Sequence, residues 1–309
     1  MRTNHVVLVG LLSGAWLSGM AGCGGDDTAH NPSSSSSAAV SSSGAGGSSS
    51  SSSSGSSSSS SSSSSGTGGQ GTGGEGGTGG AGPMGDWTCL GTVMWPAPVK
   101  ATITLDASFV DFNSMAPFVG LTVKACAKAD TACAAPLDTQ TTDANGAVKL
   151  TVPTGTDGFD GYADITGPDI PNSIAFVFPY VGDDNAATVP MLSSGTLDAF
   201  AALTGVALDD TRGHIAAQVI DCSFTNPAPG VGVTASTADA SSSQIYVKNN
   251  LPNGNATETD ETGVTGIFNL PAGPVDLTGK VSSSSQTTGK ITVLTRAKTI
   301  TYTTLPPTP

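Results

Sequence analysis

Basic residues and aromatic residues are both scarce in this chain. Its 309 residues include 11 Lys and Arg against 24 Asp and Glu, which gives a formal net charge of -13 at pH 7. Because affinity for nucleic acid depends on clustered positive charge, we expect no nucleic-acid partner. Aromatic residues make up only 5% of the chain. The core must therefore be filled mostly by Val, Ile, Leu and Ala, and this composition favours thin β architecture.

Histidine is nearly absent from the part of the chain that could fold. His214 is the single histidine after residue 84, and no Gly-x-Ser-x-Gly, His-Glu-x-x-His or phosphate-binding Gly-rich motif occurs. A lone histidine and cysteines without Cys-x-x-Cys spacing do not supply a usual zinc ligand set. We therefore expect no enzymatic activity, no catalytic residue, no cofactor and no bound metal. His214 is predicted to be exposed at the entrance to a strand.

Long apolar runs are confined to the N-terminus. Arg2 is followed by an uncharged stretch over residues 6–20, and small residues then precede Cys23. Since Gly and Ser interrupt this stretch and it is short for a bilayer, the layout predicts a secretory signal over residues 1–22. A membrane-spanning anchor is the alternative interpretation.

The end of this leader carries a recognisable processing motif. Ala21 and Gly22 stand directly before Cys23, and this arrangement resembles the lipobox of bacterial lipoproteins. The resemblance implies that Cys23 is lipidated, becomes the first residue and anchors the protein in the bacterial cell envelope. Gly24 stands where an Asp commonly retains such proteins at the inner membrane. The outer membrane or the cell surface is therefore favoured.

Residues 23–84 are dominated by Ser and Gly, with an unbroken Ser run over residues 56–65. A segment of this composition cannot bury a core, and we expect a disordered tether. A flexible coil of this length has a root-mean-square span of about 40 to 45 Å. The tether therefore supplies reach rather than stiffness.

Four cysteines remain if Cys23 is acylated, namely Cys89, Cys126, Cys133 and Cys222. An even set in an exported chain favours disulfides, and four cysteines allow three connectivities. A local Cys126–Cys133 bridge around a short loop is the simplest choice. It leaves Cys89 to pair with Cys222, a bridge that would tie two modules together.

Alternation of apolar and polar residues predicts a first β-sandwich module over residues 85–192. Asn145-Gly146, within the segment 142–146, is a hairpin signal because Asn and Gly tolerate a positive φ. The predicted strands are residues 101–105, 121–125, 148–152, 162–165 and 174–180.

A helical connector is predicted over residues 193–211, because Leu197, Phe200 and Ala201 recur at helical spacing. Ser194 or Thr196 could cap its start, and Gly205 follows its last turn. A second β-sandwich module follows over residues 212–309. Its predicted strands are residues 215–220, 231–235, 244–247, 267–270, 274–277, 291–294 and 298–304.

The two modules share a weak repeat. Thr142-Asp143 followed by Gly146 matches Thr259-Asp260 followed by Gly263, and each motif stands between similar strands. This arrangement resembles the carboxypeptidase regulatory-like domain, a transthyretin-like sandwich. The resemblance implies two small transthyretin-like or Ig-like sandwiches that serve as folding or interaction modules and carry no catalytic residues. In the second module Gly266 competes with Gly263 for the turn position.

Carboxylates and aromatic rings supply the remaining candidate sites. Loop acids of this kind can bind calcium, although no EF-hand order occurs; they are Asp157, Asp160, Asp164, Asp183, Asp184, Asp209 and Asp210. A sugar site would need aromatic platforms, and the candidates are Trp87, Trp95, Tyr162, Tyr180, Tyr246 and Tyr302.

The leading hypothesis is a non-enzymatic, lipid-anchored cell-envelope protein that presents β-sandwich modules for adhesion, assembly or scaffolding. Its partners would be the membrane, through the lipid anchor, and an unknown protein or glycan. A carbohydrate-binding surface module is the alternative. A calcium-dependent binding module and a hydrolase are weaker interpretations.

Overall fold

Strands dominate the part of the chain that the structure describes. The structure is a computed structural model that describes residues 85–95, 97–177 and 181–309. Fifteen strands and one helix occur among these residues, so the prediction of a mainly β protein is confirmed. The predicted signal peptide, the lipidation site Cys23 and the tether lie outside the described residues.

Seven strands form within the predicted first module. The polar strand β3 and the Ala-rich strand β7 were not predicted, because neither shows a clear apolar alternation. The strands are β1 Thr102–Asp111, β2 Thr122–Ala127, β3 Asp138–Thr141, β4 Ala147–Pro153, β5 Gly161–Thr166, β6 Asn172–Phe176 and β7 Asn185–Met191.

Eight strands form within the predicted second module. Only the short strand β11, which contains Pro252, has no counterpart among the predicted strands. The strands are β8 Gly213–Val219, β9 Val231–Ala235, β10 Ser243–Lys248, β11 Leu251–Asn253, β12 Val264–Leu270, β13 Gly273–Val281, β14 Thr287–Thr295 and β15 Thr299–Leu305.

The two modules repeat the same strand pairing. β1 pairs antiparallel with β4 and parallel with β7, and β8 pairs in the same way with β12 and β15. On the opposite side, β5 lies between β2 and β6, as β13 lies between β9 and β14. The modules differ at one edge: β3 pairs with β2 in the first module, whereas in the second module β10 pairs with β12 and also with the additional strand β11.

A single nine-stranded sheet joins the modules, in the order β11-β10-β12-β8-β15-β6-β5-β2-β3. The junction is the parallel pairing of β15 with β6, with Thr299 opposite Asn172 and Tyr302 opposite Ala175. Two three-stranded sheets, β4-β1-β7 and β14-β13-β9, complete the fold. Sequence patterns predicted two sandwiches, and the structure shows that these sandwiches share one sheet.

The two faces of the nine-stranded sheet contribute to two different hydrophobic cores. The first core, built around Leu121 and Val189, also takes Ala175 of β6 and Tyr302 of β15. The second core, built around Leu277 and Val293, takes the alternate residues Ile174 and Phe176 of β6 and Leu305 of β15. Since successive strand residues point to opposite faces, each core contains side chains from both modules.

The helix α1 spans Ser194–Thr204. Its N-cap is Ser193, whose side chain accepts a hydrogen bond from Thr196 N at 3.3 Å, so the predicted caps Ser194 and Thr196 are wrong. Gly205 ends the helix in the left-handed conformation, with φ of 71°. Leu197 and Ala201 are buried, and Leu197 belongs to the first core.

Both disulfide pairings are confirmed. Cys89 bonds to Cys222 across a sequence separation of 133 residues, and Cys126 bonds to Cys133 across a separation of 7. The segment around Cys89 lies on the second module before the chain enters the first: Asp86 N donates to Asp221 Oδ2 at 3.2 Å, and Cys222 N donates to Asp86 O at 2.9 Å.

The two bridges should differ in their effect on stability. The chain-entropy model gives about 5 kcal/mol for the long Cys89–Cys222 loop and about 2 kcal/mol for the Cys126–Cys133 loop. We expect the double variant Cys89→Ser/Cys222→Ser to lose more free energy of unfolding in urea than Cys126→Ser/Cys133→Ser. Equal losses, or a larger loss for the short bridge, would contradict this ranking.

A matched pair of glycine variants tests the turn position of the second module. Gly263 has φ of +65°, and a Cβ there would stand 2.5 Å from Val219 O. Gly266 has no positive φ, and its Cβ would first meet a side-chain atom, Ile245 Cγ1 at 3.0 Å, rather than the backbone. We expect Gly263→Ala to cost more than about 1 kcal/mol in urea unfolding and Gly266→Ala to cost less. The reverse order would assign the turn to Gly266.

Candidate functional site

An open groove of about 690 Å³ lies between two segments of the first module. One wall is the segment before β1, and the other is the loop between β4 and β5. The lining residues are Trp95, Ala97, Pro98, Thr154, Gly155, Thr156, Asp157, Gly158 and Asp160. Among the predicted candidates that the structure describes, only the acids Asp157 and Asp160 and the aromatic residue Trp95 line this groove.

The loop wall is fixed at both ends. Thr154 is buried, its N–H donates to Ala101 O at 3.1 Å, and its hydroxyl donates to Lys100 O. At the other end Phe159 is buried and its N–H donates to Val181 O at 2.8 Å. Between these ends the backbone turns at Gly155 and Gly158, both with positive φ. The tip therefore stands in solvent while its base stays in place.

The opposite wall rests on two independent contacts. The ring of Trp95 meets Phe224 of the second module edge-on, with centroids 6.3 Å apart. Further along, Val99 N donates to Gly182 O at 3.0 Å, and a Cβ at position 182 would stand 2.6 Å from Pro98 Cα. Glycine at 182 is what allows the Pro98 segment to approach so closely.

The groove carries negative charge. Asp160 forms an ion pair with Lys128 at 3.4 Å, whereas Asp157 at the loop tip is exposed. Carboxylate oxygens and the Thr156 hydroxyl offer hydrogen-bond acceptors beside an aromatic ring. This combination suits a ligand with polar groups along an apolar body.

The other predicted acids are dispersed and engaged elsewhere. Lys100 pairs with Asp183 at 2.7 Å and with Asp184 at 2.5 Å, and Lys298 pairs with Asp210 at 2.5 Å. Among the described residues no group of three or more His, Cys, Asp or Glu is placed to hold a metal ion.

Asp164 belongs to a contact between the modules that the sequence did not reveal. Arg296, in the loop between β14 and β15, forms an ion pair with Asp164 and donates to Tyr162 Oη at 2.7 Å and to Thr131 O at 2.7 Å. Its guanidinium also lies 5.4 Å from the centroid of the Tyr162 ring. Thr131 lies in the loop that the Cys126–Cys133 bridge closes, so this disulfide supports the contact.

The predicted turn residues occupy equivalent places in the two modules. Asp143 Oδ1 accepts from Asn145 N and Ala147 N at 2.8 and 2.9 Å, and Asp260 Oδ1 accepts from Thr262 N at 2.9 Å. The backbone bonds from Ala147 and Asn145 hold the pKa of the Asp143 carboxyl below its usual value. Gly146 and Gly263 have φ of 70° and 65°. These residues therefore have structural places and lie away from the groove.

The predicted exposure of His214 is wrong. The residue is 5% exposed, its Nδ1 accepts a hydrogen bond from Asn269 N at 3.1 Å, and its ring meets Phe268 edge-on at 5.7 Å. The strand β8 that carries it is covered on both faces, which an entrance position in sequence could not show. Burial lowers the pKa of His214, although Asp209 and Asp210 oppose part of the shift.

The remaining predicted aromatic platforms are packed or lie elsewhere. Tyr162, Tyr246 and Tyr302 are each 3% exposed or less, and Leu192 N donates to Tyr302 Oη at 2.8 Å. Trp87 packs against the second core. Tyr180 lies outside the described residues.

The buried state of His214 predicts a pH dependence. Because folding favours the neutral imidazole, the unfolded chain binds a proton at His214 more strongly than the folded chain. The contribution of His214 to the free energy of unfolding is therefore lost as the pH falls below about 6.5. We expect His214→Gln to flatten the decline in unfolding free energy between about pH 6.5 and 5, above the range where carboxylates titrate. Parallel pH profiles for the two proteins, measured by urea unfolding, would contradict this assignment.

No helix among the described residues has the length and apolar character needed to cross a bilayer.

No family model and no curated protein matches the chain. Solved structures give distant matches. The TIE protein of Bacillus anthracis matches at 13% identity and a TM-score of 0.24, over 68% of this chain and 34% of that one. The shaft pilin SpaA from Lactobacillus rhamnosus GG matches at 11% identity and 0.23, over 68% and 98%. BcpA, the major pilin subunit of Bacillus cereus, matches at 11% and 0.21, over 67% and 100%. TM-scores this low assign neither a family nor a function.

Proposed function

We propose that the chain is a non-enzymatic protein of the bacterial cell envelope that is lipid-anchored at Cys23. Gly24, which stands where an Asp commonly retains lipoproteins at the inner membrane, favours the outer membrane or the cell surface. Its tether would present two carboxypeptidase regulatory-like modules for adhesion, assembly or scaffolding. The observation that carries the proposal is the pair of disulfides, Cys89–Cys222 and Cys126–Cys133, in a chain whose leader reads as an export signal. Disulfides persist in oxidising compartments outside the cytosol.

The way the modules are joined supports a presenting role. The modules are held together by three features: the shared sheet, the Cys89–Cys222 disulfide and the ion pair between Arg296 and Asp164. Side chains from both modules fill each core. A body built in this way does not hinge between its modules, so the surfaces that it presents keep a fixed arrangement, as a scaffold requires.

Carbohydrate binding is the second candidate function. The groove beside Trp95 favours it, because an indole, a carboxylate and hydroxyl groups converge in an open site of a ligand's size. This function is compatible with the first, since an anchored module can act by holding a glycan.

The anchor can be tested with one substitution and one control. We expect the full chain to sediment with membranes and to incorporate labelled fatty acid, and Cys23→Ala to lose the label and leave the membrane fraction. Met20 stands three residues before Cys23, where the lipobox usually has Leu, so Met20→Leu should stay labelled and membrane-bound. A Cys23→Ala protein that stays in the membrane fraction would show that the leader itself is the anchor.

A further inference from the structure

We propose that the groove between Trp95 and the β4–β5 loop binds a neutral saccharide. This inference deepens the second candidate function and does not depend on the lipid anchor. It rests on the size of the groove, on the chemistry of its walls and on how firmly those walls are held.

The size of the groove suits a short oligosaccharide. Its volume of about 690 Å³ lies within the range of roughly 300 to 1,000 Å³ that small-ligand sites occupy. The loop wall contains Gly155 and Gly158, which have no side chains to fill the space. The groove is open to solvent, so a chain of sugars could extend beyond the residues that line it.

The walls match the two surfaces of a sugar ring. A pyranose has an apolar face of C–H groups and a rim of hydroxyl groups. The half-buried indole of Trp95 packs partly against the second core and lines the groove with the rest of its apolar surface. The Asp157 carboxylate and the Thr156 hydroxyl can accept hydrogen bonds from the rim. Asp160, held by Lys128, borders the same space.

Charge selects among saccharides. Asp157 and Asp160 both border the groove, and the whole chain has a net charge of -13. Bringing a uronic acid or a sulfated sugar beside these carboxylates would cost free energy through like-charge repulsion. A neutral sugar avoids this repulsion and retains its hydroxyl donors.

The walls are ordered before any ligand arrives. Thr154 and Phe159 fix the loop through hydrogen bonds to Ala101 and Val181, and Phe224 supports the Trp95 ring. Groups that are already in place lose little entropy on binding. The contact with Phe224, a residue of the second module, also means that the platform forms only where the two modules meet.

The test measures binding of the full-length protein to neutral trisaccharides of glucose, xylose and N-acetylglucosamine, by isothermal titration calorimetry, with a trisaccharide of galacturonic acid as the charged counter-probe. We expect at least one neutral trisaccharide to bind and the charged one not to bind. Trp95→Ala should weaken binding about tenfold or more, as loss of an aromatic platform requires. Asp157→Ala should weaken it by a smaller factor.

Matched controls separate the site from the fold. Met94 is 86% exposed and does not line the groove, so Met94→Ala should bind like the unmodified protein. Trp95→Phe keeps a ring at the platform and guards against misfolding of Trp95→Ala, with thermal melting as the fold readout; it should retain most of the affinity.

Three results would overturn the proposal: no neutral trisaccharide binds at millimolar concentration, the galacturonic acid trisaccharide binds best, or Trp95→Ala and Asp157→Ala both leave the affinity unchanged. None of these results bears on the Cys23 anchor, which fractionation and fatty-acid labelling test separately.

Discussion

The pairing of β15 with two neighbours is the interaction on which the rest of the structure depends. β15 forms parallel ladders with β8 of its own module and with β6 of the other, so its backbone polar groups are used on both sides, as buried ones must be. All seven of its residues are buried. Five are Thr or Tyr, and hydroxyl groups such as Thr301 Oγ1, which donates to Leu294 O at 2.6 Å, find partners within the protein. Because alternate residues of β15 enter the two cores, this strand couples the packing of both modules.

The repeated strand pairing also identifies two edges that do not join the modules. In the first module β7 takes the position of β15, and in the second module β14 takes the position of β6; both lie at an edge of a three-stranded sheet. These edges are occupied by short segments rather than by a further strand. Lys290 N of β14 donates to Thr308 Oγ1 at 3.1 Å, and Gly182 O before β7 accepts from Val99 N beside Pro98. Proline and charge at an edge discourage pairing with another strand. The modules therefore pair through β6 and β15 rather than through β7 and β14.

Local patterns predicted most of this fold, because they depend on neighbours in sequence. Alternation located β9 at its observed bounds and β2 to within two residues at each end, and the turn residues Asp143 and Asp260 stand where the motif placed them. β3 was missed because three of its four residues are exposed, which leaves no apolar face to detect. The alternation of residues 298–304 predicted the strand β15, but it did not show that both faces of this strand are covered. Arg296 and Asp164 are 132 residues apart, and nothing in the sequence near either one marks the other as its partner.

The groove shows why the candidate site was only partly predictable. The acids Asp157 and Asp160 and the ring of Trp95 could be identified as residue types, but they lie some 60 positions apart along the chain. What brings them together is the return of the chain through β4 and the close approach of Pro98 to Gly182. The Trp95 ring is then supported by Phe224 of the second module. Phe224 follows β8 and lies two residues after Cys222 of the long disulfide. The groove is therefore a product of the junction between modules, and a change that loosens β15 from β6 should alter its shape even though no residue of β15 lines it.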